Sequence, residues 1–221
     1  VTLVSTAKIS AMGDMLMHLP CIVAAKTSDG YDFTPFFRYL QDYIQDADYA
    51  VANLETTLAG PSREYKGYPN FNCPDEIVTG LKSTGFDMLL TANNHTYDTL
   101  STGFFRTQEV IAQYGLDHIG TKPDAESDSY KIVELNGIRI GMLCYTYATR
   151  VTEDGRPSLN DNVPISEAGL CNYFWKGNLD AFYSEVETYL SEMEAAGAEA
   201  IVLFIHWGDE YQLTQNGSQT L

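Results

Sequence analysis

The chain has 221 residues, of which 13 are basic and 30 are acidic, so its formal net charge is −17. Such a field repels a phosphate backbone, which excludes nucleic acid as an expected partner. The hydrophobic content of 44% is ordinary for a globular protein, and the length suffices for one large domain, which we assign to residues 1–221. No apolar stretch is long enough to span a membrane, and no export signal is visible.

Predicted strands and helices alternate along the chain, as in α/β proteins. In chain order, the patterns predict a strand at 7–12, a helix at 33–46, a strand at 47–52, a helix at 74–83, a strand at 86–92, a helix at 98–114, an edge strand at 115–120, a hairpin at 130–135 and 138–145, a helix at 179–196 and a strand at 200–205, with long loops at 56–73 and 147–173. Asn136-Gly137 between two apolar runs is a strong hairpin signal.

Several common kinds of site are not indicated by this sequence. The four cysteines are widely spaced and contain no C-x-x-C pair, which argues against a zinc ribbon or a thioredoxin-like motif and leaves three disulfide pairings open. The nucleophile elbow, the phosphate-binding loop and the dinucleotide fingerprint are also missing from the sequence.

Four predicted strands end in polar residues that are suited to binding a metal. These residues are Asp14 (with His18 four positions later), Glu55, the pair Asn94-His95, and His206. The carboxyl ends of strands in open α/β sheets are where ligands bind. Carboxylate, amide and imidazole groups together suit a divalent ion such as Mn²⁺, Zn²⁺ or Fe²⁺, and two ions can share such a centre.

Each of these residues also has a structural interpretation when it is taken alone. Asp14 could cap a turn, Glu55 could be a surface carboxylate, and His206 could be a core histidine. Asp98 could be the N-cap of the helix at 98–114, a role compatible with a site at Asn94-His95. One shared site explains four polar strand ends better than four independent coincidences do.

With these residues in hand, the chain resembles the CapA family of capsule-synthesis proteins, also called the poly-γ-glutamate biosynthesis or PgsA family. The matching segments are Gly13-Asp14, Asn53-Leu54-Glu55-Thr56-Thr57-Leu58, Phe71-Asn72-Cys73-Pro74, Ala92-Asn93-Asn94-His95-x-x-Asp98, Gly120-Thr121 and His206-Trp207-Gly208-Asp209-Glu210-Tyr211. This family is similar to the calcineurin-like metallophosphoesterases. The resemblance therefore implies a sandwich of two β-sheets flanked by helices, with a metal site at the strand ends.

The resemblance also implies a role for each candidate residue. Asp14, Glu55, Asn94 and His206 would be metal ligands, and His18 stands near the position of an early ligand histidine, although its spacing differs. His95 would be the acid or anion-stabilising group near the substrate, and we place Asp98 with it as the candidate catalytic pair. The family continues with a Gly-His-His-Pro-His segment, so we expect that the fold and its metal shell are incomplete at Leu221 and that metal occupancy is low in this chain.

The implied function is that of a metal-dependent hydrolase or transferase that acts outside the cell on an anionic surface polymer such as poly-γ-glutamate. The alternative is a non-catalytic module that uses the same pocket to bind polymer, or a membrane-bound partner in a synthesis or export complex. Both place the protein outside the cell, at the cell surface or on a membrane anchor that this chain does not contain.

Overall fold

The computed structural model describes residues 4–161, 163–217 and 219, and two β-sheets form its centre. The first sheet contains, in this spatial order, β1 (Ile9–Met12), β2 (Tyr49–Asn53), β3 (Met88–Leu90) and β4 (Asp117–Ile119). Each neighbouring pair is parallel. The carboxyl ends of all four strands therefore lie at one edge of the sheet.

The second sheet is built on the predicted hairpin. Strands β5 (Tyr130–Leu135) and β6 (Ile138–Tyr147) pair antiparallel in this sheet. The short strands β7 (Arg150–Val151) and β8 (Pro157–Ser158) pair with each other and form a separate ribbon. The second sheet also contains β9 (Tyr173–Phe174) and β10 (Ala200–His206), both of which are parallel to β6. Asn136 and Gly137 have φ values of 53° and 82°, as a type I′ turn requires, so the hairpin prediction is confirmed.

Helices cover the outer faces of both sheets. They are α1 (Leu19–Ala24), α2 (Thr34–Phe37), α3 (Gln41–Gln45), α4 (Glu76–Thr84), α5 (Leu100–Gln113) and α6 (Leu179–Ala195), with a short 3₁₀ turn at Ala168–Leu170. The first five contribute to the core on the outer side of the first sheet, and α6 packs on the outer side of the second. The expected sandwich of two sheets flanked by helices is confirmed.

The central strands β2, β3 and β6 bury both of their faces, which explains why their sequences are continuous apolar runs and not alternating patterns. In β2, Ala50 and Ala52 face the helices while Val51 faces the second sheet. In β6, Met142 and Cys144 lie between the sheets, and the residues between and after them face α6. The interior between the sheets therefore fixes how the two strand edges align.

Some boundaries differ from the predictions. The helix predicted at 33–46 is two short helices, α2 and α3, each of which buries one aromatic or aliphatic residue, Phe37 and Ile44. Helices this short are marginal without tertiary packing, so their ends follow the core and not the local pattern. Helix α1 was not predicted, and the segment predicted as a loop at 147–173 contains β7, β8 and the first residue of β9. All four cysteines are free thiols.

Gly120 provides a test of how the site segment is supported. Its φ is 106°, and a Cβ there would lie 2.6 Å from the backbone nitrogen of Ala92, the residue that opens the polar segment after β3. Gly115 also has a positive φ, 71°, but a Cβ there would meet nothing within 4 Å. We expect Gly115→Ala to lower the free energy of unfolding by about 1 kcal/mol, from backbone strain alone.

For Gly120→Ala we expect a loss of about 3 kcal/mol or more, because a backbone clash adds to the strain. Urea denaturation of both variants measures the difference. Equal losses in the two variants would contradict the packing that places Gly120 against Ala92.

Candidate metal centre

Three strands from two sheets bring the predicted ligands together. Asp14 follows β1, Glu55 follows β2, and His206 is the last residue of β10. One ligand atom from each of these residues lies within 4.8 Å of the others. Glu55 is only 5% exposed, so it is not the surface carboxylate that its position alone allowed.

Asn94 joins this cluster through His206. Its Oδ1 lies 2.8 Å from His206 Nε2, and His206 Nε2 lies 3.6 Å from Glu55 Oε1. Two ligands that are about 2.1 Å from one ion are about 3 Å apart when they stand at right angles. Asp14, Glu55 and His206 are therefore grouped as candidate ligands of one divalent ion, and Asn94 lies next to them beside His206.

His95 and Asp98 form a buried pair beside the cluster. His95 Nδ1 lies 2.7 Å from Asp98 Oδ2, and His95 Nε2 is on the side of Glu55, 3.9 Å from its Oε1. Asp98 also accepts a hydrogen bond from the backbone N–H of Phe71. The carboxylate fixes the imidazole so that Nε2 is the atom presented to the cavity.

The alternative interpretation of Asp98 as a helix cap is wrong. Helix α5 begins at Leu100 and its N-cap residue is Thr99, whose side chain makes no capping hydrogen bond. The Asp98 carboxylate is fully buried and is directed at His95 instead. A buried carboxylate needs hydrogen-bond partners, and the imidazole of His95 and the backbone N–H of Phe71 provide them. These interactions are therefore favoured over a capping hydrogen bond to α5.

His18 lies in the same cavity but outside the four-residue cluster. It precedes α1 and is exposed, and its ring meets the edge of Phe71 at a centroid distance of 5.1 Å. Phe71 in turn contacts the ring of His95 at 4.6 Å. The structure thus places Phe71 as a spacer between the two histidines.

The cavity over these residues has a volume of about 500 Å³. Its lining comprises Asp14, Leu16, His18, Glu55, Tyr68, Phe71, Asn94, His95, Tyr147, Asn160, His206, Trp207, Gly208, Asp209, Glu210 and Tyr211. Among these residues of the described chain there are four carboxylates and no lysine or arginine. A bound cation would be the main source of positive charge in this cavity.

The pKa shifts in the cluster arise mainly from burial, which disfavours the charged forms of Glu55 and His206. Burial raises the pKa of Glu55 to about 8, and the nearby carboxylate of Asp14 adds to the rise. Burial lowers the pKa of His206, and the Asp14 charge opposes that shift. A protonated Glu55 and a neutral His206 limit the charge that is buried in the cluster. A bound divalent ion would instead favour the ionised carboxylate of Glu55.

Two asparagines that the sequence analysis did not select lie at the centre of the cluster. Asn53 Nδ2 donates to Asp14 Oδ1 at 2.6 Å, and Asn93 Nδ2 donates to Asn53 Oδ1 at 3.1 Å. Both are buried, with exposures of 7% and 0%. Asn53 is the polar last residue of the buried strand β2, and this position is the sequence signal that could have identified it.

The donor set fits a divalent metal ion. Two carboxylates, one amide oxygen and one imidazole nitrogen combine the ligand types of Mn²⁺, Fe²⁺ and Zn²⁺ sites. Burial favours the neutral form of His206, and a neutral imidazole is the form that binds metal. The identity of the ion remains a prediction.

Comparison with known proteins identifies a family. Residues 8–220 match the family described as bacterial capsule synthesis protein PGA_cap. The chain is 26% identical over 214 residues to the capsule biosynthesis protein CapA of Bacillus anthracis, which covers 90% of the chain and 46% of that protein. It is 24% identical over 219 residues to the PGA biosynthesis protein CapA of Bacillus subtilis, covering 95% of the chain and 51% of that protein.

A further relative has no assigned role. The uncharacterized protein y4sH of Sinorhizobium fredii is 27% identical over 157 residues, or 67% of the chain and 32% of that protein. The chain thus spans about half the length, or less, of the curated relatives that it matches.

Substitution of the cluster residues tests the metal centre directly. We expect Asp14→Asn, Glu55→Gln and His206→Ala each to weaken Mn²⁺ or Zn²⁺ binding by more than about 100-fold, because the first two remove the negative charge of a ligand and the third removes the ligand itself. His18→Ala should change the affinity by less than about threefold. Isothermal titration calorimetry on metal-stripped protein gives all four values, and retained affinity in the His206 variant would refute the assignment.

The raised pKa of Glu55 predicts a pH dependence of stability in chelator. Between pH 4.5 and about 8 the folded protein keeps the proton of Glu55 while the unfolded chain loses it. Stability therefore falls as the pH rises through this window, by at most about 1.4 kcal/mol per pH unit from this group. Urea denaturation at several pH values should show a shallower fall for Glu55→Gln, and parallel profiles would contradict the burial of an uncompensated carboxyl group.

Proposed function

The chain belongs to the bacterial capsule synthesis protein family PGA_cap, and we propose that it is a metal-dependent hydrolase or transferase acting on an anionic cell-surface polymer such as poly-γ-glutamate. The observation that carries this proposal is the cluster of Asp14, Glu55 and His206 next to the His95–Asp98 pair. The names of the two Bacillus relatives support the capsule and PGA part of it.

The residues divide into a binding set and a proton-transferring residue. Asp14, Glu55, Asn94 and His206 would hold the ion, which supplies Lewis-acid polarisation of the bond to be broken and acidifies an attacking water. His95 Nε2 faces the cavity, while its Nδ1 is held by Asp98. In this orientation His95 can pass a proton to the leaving oxygen or nitrogen.

The charge of the cavity limits how an anionic polymer can bind. Asp14, Glu55, Asp209 and Glu210 line the cavity, and none of its described lining residues is basic. A polymer carboxylate would be repelled there unless a divalent ion neutralises the cluster. We therefore infer that polymer binding by the proposed enzyme depends on metal.

The proposed place of action is the cell surface, in line with the family. None of the helices in the described ranges combines the length and apolar composition needed to cross a membrane. We also propose that the protein acts together with a membrane-bound synthesis or export complex. A purely polymer-binding module is the competing outcome of the experiment below.

The test is a titration of poly-γ-glutamate into metal-stripped and Mn²⁺- or Zn²⁺-loaded protein, followed by measurement of polymer length. We expect binding to weaken at least tenfold in chelator, because the negative cavity then repels the polymer. His95→Ala should abolish a change in polymer length while the affinity for Mn²⁺ stays within about threefold of wild type.

His118→Gln is the matched control for loss of a histidine, since His118 lies on β4 and contacts Gln108 outside the cavity. It should keep both binding and turnover. Polymer binding that is equally tight in chelator, with no change in polymer length, would refute the enzyme and favour the binding module.

A further inference from the structure

We propose that Asn53 and Asn93 are positioning residues that fix the ligand geometry of the metal centre and couple it to His95. The inference rests on the metal site of the proposed function. It concerns two amides that are neither ligands nor proton donors to a substrate. Their hydrogen bonds form an unbroken path from the ligand cluster to the backbone of His95.

Asn53 reaches three members of the cluster with one nitrogen. Its Nδ2 lies 2.6 Å from Asp14 Oδ1, 3.3 Å from Glu55 Oε2 and 3.4 Å from His206 Nδ1. These three residues follow or end different strands, so no local sequence constraint holds them together. A donor between two carboxylates lowers their mutual repulsion and orients them, because hydrogen bonds to charged groups are strong.

The orientation of the Asn53 amide is fixed by Asn93. Asn93 Nδ2 donates both to Asn53 Oδ1, at 3.1 Å, and to the backbone carbonyl of Leu54, at 2.9 Å. Turning the Asn53 amide over would place its NH₂ group against the NH₂ group of Asn93. The network therefore assigns the nitrogen of Asn53 to the cluster, which makes Asn53 a donor to the ligands and not a ligand itself.

The other end of Asn93 holds the candidate catalytic histidine. Asn93 Oδ1 accepts a hydrogen bond from the backbone N–H of His95 at 3.1 Å. Because Asn93 is fully buried, water does not compete for these bonds. A shift of the ligands would thus be transmitted through Asn53 and Asn93 to the position of His95.

The test is a double-mutant cycle read out as Mn²⁺ affinity by calorimetry. Asn53→Leu keeps the size of the side chain and removes its donors, so we expect about 10- to 100-fold weaker binding. Asn93→Leu should weaken Mn²⁺ binding less, since the Asn53 amide remains present and loses only the hydrogen bond that orients it. The double variant should bind about as weakly as Asn53→Leu alone, because the two residues act through one path.

Asn172→Leu is the control for loss of a buried asparagine. Asn172 is 6% exposed and donates to the backbone carbonyl of Ser129, outside the cluster. It should lose stability but keep its Mn²⁺ affinity, whereas the Asn53 variant should lose affinity in a sample that remains folded by circular dichroism. If Asn53→Leu does not fold, Asn53→Ser, whose hydroxyl is too short to reach three acceptors, is measured instead with the same expectation.

The outcomes separate the two proposals. If wild-type protein does not bind Mn²⁺ or Zn²⁺, the metal centre and the inference both fail. If wild type binds but Asn53→Leu binds within about twofold of it, or if the effects of the two substitutions simply add, only the positioning role is refuted.

Discussion

The structure depends on one geometric constraint: parallel strands that end at the same edge bring their polar ends together. β1, β2 and β3 end side by side in the first sheet, and β10 ends opposite them in the second. The apolar residues between the sheets, including Val51 and Met142, hold the two edges in register. Packing in the core therefore determines the spacing of groups in the site.

That spacing carries an electrostatic cost. Asp14 and Glu55 share the nitrogen of one amide, and the pKa of Glu55 is raised to about 8 by burial and by Asp14. A buried carboxylate beside a second, exposed carboxylate is stabilised by a proton, by hydrogen-bond donors or by a cation. Neutral donors supply part of that stabilisation here, and a divalent ion would supply the rest. The same chemistry that makes the cluster costly makes it suited to bind a divalent ion.

The second feature of the site is the separation of its roles. The ligand cluster and the His95–Asp98 pair are neighbours, since Glu55 Oε1 lies 3.9 Å from His95 Nε2. Among the candidate site residues, Asp98 contacts His95. The loop at 56–73 contributes through Phe71, whose backbone N–H binds Asp98 and whose ring separates His18 from His95. A loop that precedes His95 by more than 20 residues thus completes the environment of this histidine.

The sequence by itself determined the alternation of strands and helices, the hairpin at Asn136-Gly137 and the polar strand ends Asp14, Glu55, Asn94 and His206, because these depend on local periodicity and turn chemistry. Only the tertiary structure decided that Asp98 pairs with His95 instead of capping α5, that His18 stays outside the cluster, and that Asn53 and Asn93 lie within it. The break between α2 and α3 was decided in the same way. Each of these outcomes depends on contacts between side chains or backbone groups that burial brings together, and local sequence patterns do not show these contacts. Burial strengthens such polar contacts, so they override the local preference for a helix or a cap.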